Sequence, residues 1–118
     1  MNLDQYKTKA LENVIEPMIS FMEEWEDCDY SADDIEACKS LIYAYLEGLS
    51  AIKEPTEEKI MEQVKNLVLG LNGLNETTDY ALIETDAREA ICELIQTSAI
   101  DCGLIDNDED ITEEWRAW

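Results

Sequence analysis

Apolar residues at Leu3, Tyr6, Ala10, Val14, Met18, Met22 and Trp25 step by three or four, and Leu11, Ile15 and Ile19 widen the stripe. This spacing predicts an amphipathic helix that places Trp25 on its buried face, with Asn2 as its N-cap. Pro17 has no N–H to give the carbonyl of Asn13, so a kink or a break into two shorter helices is expected there. A second helix opens at Ser31, which forms a capping box with Asp34, and carries Ile35, Cys38, Ile42, Tyr45, Leu49 and Ile52 on one face. Pro55 and Thr56 start a third, with Glu57 and Glu58 at the positive end of its dipole and Ile60, Val64, Leu67, Val68, Leu71 and Leu74 as its face. Gly70 and Gly73 weaken its end, each by ~1 kcal/mol relative to Ala if helical.

Asn75 to Asp79 is polar and turn-like, and Tyr80 to Ile83 is a short apolar stretch compatible with extended backbone. Asp86 with Glu89 reads as a second capping box, opening a helix with Ala87, Ile91, Leu94, Ile95, Ser98 and Cys102 on its face. Gly103 and Leu104 fit a Schellman ending. Asp110 with Glu113 predicts a last short helix bearing Ile111, Trp115 and Trp118. The expected fold is all-α: one domain over residues 1–118, an antiparallel bundle of about four main helices plus a short C-terminal helix.

Composition turns this bundle into an unusual one. Twenty-nine Asp and Glu against eight Lys and Arg give a formal charge of −21 over 118 residues. Glu23 to Glu36 holds eight acids and Asp101 to Glu114 seven, with no base in either. Disorder would need low hydrophobicity beside the charge, whereas 46% of this chain is hydrophobic and regularly spaced. Clustered negative charge repels nucleic acid and anionic lipid and steers in basic partners. The alternative is charge that serves solubility alone, in a structural or regulatory helical protein. Mimicry of nucleic acid by a track of carboxylates is a further form of the binding reading.

Candidate sites follow from where the acids fall. Glu23, Glu24, Glu26, Asp27 and Asp29 lie at or beyond the C-terminal end of the first helix, where negative charge opposes the dipole and costs on the order of 0.3–1 kcal/mol per exposed residue. With Tyr30, Asp33 and Asp34 they form the first candidate for a partner-binding surface, weighed against a solvated loop. Tyr30 is read as the aromatic free to touch a partner. Asp106, Asp108, Glu109, Asp110, Trp115 and Trp118 form the second candidate, although docking onto the bundle is the favoured reading for the two tryptophans. Calcium is rejected for this tail, because Ile111 stands where an EF-hand loop needs glycine and Ala117 where it needs glutamate.

No other metal and no cofactor is expected. The chain has no histidine, its four cysteines form no CxxC pair, and the acidic helices lack an ExxH motif. An enzyme is therefore not expected, and a carboxylate-based hydrolase ranks third behind the two binding and structural readings. Cys92 and Cys102, ten apart on one helix, would sit about 15 Å from each other, so free thiols and a cytoplasmic location are expected. No apolar run approaches the ~20 residues of a membrane span, and Met1 to Leu11 lacks the features of a signal peptide.

The stretch Leu82–Ile83–Glu84–Thr85–Asp86–Ala87–Arg88–Glu89–Ala90–Ile91–Cys92–Glu93–Leu94–Ile95, followed by Asp110–Ile111–Thr112–Glu113–Glu114–Trp115–Arg116, looks like small acidic helical bacterial proteins. In size, helical pattern and acidity the chain resembles immunity proteins that neutralise nuclease toxins. That resemblance implies acidic and aromatic residues set against a basic toxin domain, and the charge itself argues against nucleic acid or membrane as a ligand. Within the same stretch, Arg88 is expected to pair with Glu84 or Glu89, with contact to a neighbouring acidic surface as the alternative.

Overall fold

The computed structural model describes residues 1–105 and 109–118, and no strand occurs among them. The helices are α1 (Leu3–Ala10), α2 (Glu16–Glu24), α3 (Ala32–Ser50), α4 (Glu57–Thr77) and α5 (Thr85–Cys102). A π-helical turn, Leu11–Ile15, joins α1 to α2 into one continuous rod. Instead of breaking at Pro17, the helix widens just before it. Glu16 donates to the Leu11 carbonyl five residues back, and Pro17 sits in the first turn of α2, where a missing N–H costs least.

Side-chain meetings fix the helix directions. Gly48 faces Gln63 and Gly70 faces Leu41, so α3 and α4 run antiparallel. Tyr6 meets Thr97 and Asp101 while Asn13 and Val14 lie against the first half of α5, so the α1–α2 rod is antiparallel to α5. Tyr45 bonds Ser98 and Cys102 bonds the Leu49 carbonyl, a constant offset that makes α3 and α5 parallel. The result is an up-down-up-down bundle with the rod and α4 rising and α3 and α5 descending. Its core is the apolar stripe of each helix, with Ile42, Leu46, Val64, Val68, Leu71, Ile91 and Ile95 wholly buried.

The expected caps hold at three places. Asn2 accepts from the Gln5 amide, Ser31 and Asp34 form the reciprocal capping box, and Thr56 accepts from the Lys59 amide. Gly103, at φ 128°, gives α5 its Schellman ending: the Leu104 amide donates to Ala99 and that of Gly103 to Ile100. The box expected at Asp86 is absent. Glu84 is the N-cap residue there, and its side chain caps nothing.

Residues 75–83 differ most from expectation. α4 runs on through both glycines to Thr77. A Cβ at Gly70 would come within 3.0 Å of Leu41 Cδ2, so glycine there lets the two helices close up; one at Gly73 would meet open space. Asn75, read as a turn residue, is a buried helical side chain whose Oδ1 accepts from the Ile83 amide at 2.9 Å. Thr78, also buried, donates to the Asn75 carbonyl and accepts from the Leu82 amide. The stretch 80–83 is neither strand nor helix. Its apolar residues Leu82 and Ile83 are buried because the loop is bolted to α4 by side chains. The helix ends in a second Schellman pattern, with the Tyr80 amide on Asn75 and that of Asp79 on Glu76, and both Asp79 and Tyr80 take positive φ.

The C-terminal segment forms consecutive turns over 111–115 instead of a helix. The Asp110 side chain accepts from both the amide and the hydroxyl of Thr112, closing a local loop. Asn72 then clamps the strap to α4, donating to the Trp115 carbonyl at 2.7 Å and accepting from the Ala117 amide at 3.0 Å.

Candidate functional site

The bundle topology gathers one end of the molecule from distant sequence. The end of α2, the connection 25–31, the start of α3, the end of α4 and the start of α5 all meet there. Glu23, Glu24, Glu26, Asp27, Asp29 and Asp33 therefore share this end with Glu76, Asp79, Glu84 and Asp86. All six of the first group are exposed, and none of their side chains makes a hydrogen bond or ion pair with a described residue. Asp34 must be set apart from them. It is half-buried and takes the Ser31 amide at 2.9 Å, so its carboxylate holds the start of α3 and is not free for a partner.

The two aromatics exchange the roles expected of them. Tyr30 is 7% exposed, its hydroxyl donates to the Met18 carbonyl at 3.3 Å, and burial, with Cys28 and Glu84 nearby, pushes its pKa up to about 12. It is a structural pin and is removed from the binding set. Trp25, expected in the core, is 59% exposed. The reason is local: Trp25 has left the helix, with φ −115° and ψ 117°, so the helical phase that places Met18 and Met22 inward no longer applies to it.

Phe21 joins the two. Its ring lies 5.9 Å from that of Trp25 and 6.0 Å from that of Tyr30, stacked at shallow angles on both sides. Tyr30 thus anchors a three-ring ladder whose other two members, Phe21 and Trp25, are exposed. Pro17 and Phe21, four residues apart, lie one face round from the core stripe, and Trp25 follows four residues later beyond the helix end. That spacing is the signal in the sequence that identifies Phe21, which the stripe alone leaves out. Ile19 and Tyr80 are further exposed hydrophobics, and only the topology reveals Tyr80 at this end.

Beneath the ladder a cleft of about 470 Å³ opens between the π turn and α2 on one side and residues 81–87 on the other. Val14, Met18 and Leu82 supply buried apolar wall, while Glu84 and Asp86 stand exposed at its edge.

The second candidate is arranged differently. Asp106 and Asp108 lie outside the described residues. Partial burial raises the pKa of Asp110, but the bonds from Thr112 and the Arg116 guanidinium at 3.1 Å outweigh this and hold it below the usual carboxylate value. Trp115 and Trp118 are half-buried against the core, and Arg116 packs over the Trp118 ring and donates to Cys92 Sγ. The tryptophans take the docked alternative, and a strap built this way has spent much of its chemistry on folding. The Glu109 carbonyl likewise accepts from Gln96.

All four cysteines are free, and burial pushes the Cys38 thiol up to about 12, which makes it an inert core residue. Arg88 forms no ion pair among the described residues, so the pairing with Glu84 or Glu89 is absent. No group of His, Cys, Asp and Glu able to hold a metal ion occurs among the described residues, and no helix among them is long and apolar enough to cross a membrane. Comparison of the chain with protein-family models, curated proteins and solved structures finds no match.

Proposed function

We propose that the chain is an acidic protein-binding module that inhibits or neutralises a basic protein partner. In its most specific form it is a bacterial immunity protein acting in the cytoplasm on a nuclease-type toxin. The observation that carries this reading is the exposed Phe21–Trp25 stack set among Glu23, Glu24, Glu26 and Asp27, carboxylates with no internal partner. Interfaces concentrate binding energy in aromatic anchors at a desolvated centre, while surrounding charges accelerate encounter and set register. The acidic end offers both on one surface. Inhibition would work by occlusion: carboxylates meet the Arg and Lys with which a nuclease holds phosphate, and the rings exclude water between them. The same field repels nucleic acid itself, which argues for a protein ligand.

The test uses a basic protein captured by the immobilised chain. Changing Glu24, Glu26 and Asp27 to Lys should slow its association at low salt by more than tenfold, with circular dichroism unchanged. Reversing Glu109, Glu113 and Glu114 should do less. If the second set is the damaging one, the interface lies on the strap; if neither matters, the charge serves solubility and the reading fails.

A further inference from the structure

The acidic end carries a built recess as well as a charged surface. The cleft between α2 and residues 81–87 has the volume of a small-ligand site, and its floor is apolar: Val14, Met18 and Leu82. Among the described residues, its charged lining residues are Glu84 and Asp86 alone. Two depressions along the α1–α2 rod each include a lysine, Lys39 in one and Lys9 in the other, whereas the depression beside Met61 and Ile111 is, like the cleft, lined by acids without a base. Neither carboxylate is committed elsewhere: Glu84 makes no capping bond, and neither residue has an ion pair or side-chain hydrogen bond with a described residue. The start of α5 brings a partial positive charge of about half an elementary unit, which two full carboxylates outweigh. The wall they stand on is held in place by the buried bonds from Asn75 to Ile83 and from Thr78 to Leu82.

An apolar trough that ends in two unpaired carboxylates, with an aromatic ring at its side, fits one chemistry: a long aliphatic stem tipped by a cation. We propose that the cleft is a socket for a single lysine or arginine side chain projecting from the basic partner. The methylene groups would lie along Met18 and Leu82, the cationic head between Glu84 and Asp86, and the Phe21 ring would add a cation–π contact. The inference rests on the proposed function and deepens it, by assigning the partner's anchor residue to a place that the acidic run 23–36 does not include.

The experiment needs no partner. Nα-acetyl-lysine methylamide is titrated into the isotopically labelled chain at low salt, with the uncharged norleucine analogue as control, and methyl resonances are followed. The lysine compound should shift the methyls of Val14, Met18 and Leu82 saturably, with a dissociation constant on the order of millimolar, and the norleucine compound should bind at least tenfold more weakly. The double variant Glu84→Gln, Asp86→Asn should remove that difference, and Glu57→Gln, Glu58→Gln at the opposite end should leave it. Equal binding of the two compounds, an unaltered response in the cleft variant, or shifts confined to another face would overturn the socket. Because the probe is independent of any partner, such a failure leaves the function to its own charge-reversal test. Saturable lysine binding beside a null charge reversal would keep the cleft as a cation site and remove the wider reading.

Discussion

Two acidic regions of similar composition come to opposite ends structurally. In the region from Glu23 to Asp33 the carboxylates stay unpartnered and the tryptophan is outside. In the strap from Glu109 to Trp118 an aspartate is bonded to Thr112 and Arg116, and both tryptophans are drawn toward the core. The difference lies in what surrounds each chain segment. The strap lies across α4 and α5, where Asn72, Gln96 and Cys92 offer it hydrogen-bonding groups. The connection after α2 turns over the bundle's end, where its neighbours are more acids. Similar charge density therefore comes with different internal use: Asp110 is bonded within the strap, whereas the side-chain carboxylates from Glu23 to Asp33 have no partner among the described residues.

The comparison would break most visibly if the two tryptophans behaved alike. Trp115→Ala should destabilise the fold by about 2–3 kcal/mol, less than for a fully buried tryptophan, because the ring is only half-buried. Trp25→Ala should change stability by less than about 0.5 kcal/mol while weakening a captured basic partner about tenfold. Denaturant melts and partner titrations of both variants read this directly. A large loss of stability from Trp25→Ala would place that ring in the core after all.

Asn75→Ala sharpens the same contrast from the scaffold side. Leaving the buried Ile83 amide without its acceptor should cost about 2 kcal/mol, and hydrogen exchange should show the loss concentrated in residues 78–84. Uniform exchange across α4 and α5 would mean that Asn75 supports the helix and does not bolt the loop.

Titration separates the regions next. Tyr30 and Cys38 have folded-state pKa values of about 12, above their ordinary values of 10.0 and 9.0. The folded state then holds protons that the unfolded chain releases, so this contribution is intact below about pH 9 and is lost as pH rises toward 12. Asp110 shows the opposite sign, with stability present above the ordinary 3.8 and lost as pH falls through its lower folded value. Tryptophan fluorescence should report release of the strap in acid, and Asp110→Asn should abolish that step. The smallest effect is screening: raising NaCl to about 0.2 M should lift the melting temperature by a few degrees, since 21 excess charges repel one another. A fall would mean that specific ion pairs outweigh the repulsion.

Much of the bundle is determined by the sequence itself, because the information is local. A stripe of period 3.6 names a helix and its buried face, and Ser31 with Asp34, Thr56, and Gly103 with Leu104 mark boundaries through bonds that reach only three to five residues along the chain. Even the second face that carries Pro17 and Phe21 is legible once it is sought. What tertiary structure alone decided is which residue beyond a helix end meets a neighbour. Trp25 continues the stripe in number but not in direction, because the backbone has become extended, while Tyr30 returns to cover Met18 from a connection with no periodicity to read. Asn75 has a turn-former's chemistry, yet its side chain is buried because a loop eight residues later needs an acceptor. The convergence of Glu84 and Asp86 with the end of α2 depends likewise on four helices packing up and down. Periodicity specifies the inside of an element; only packing specifies what covers its ends.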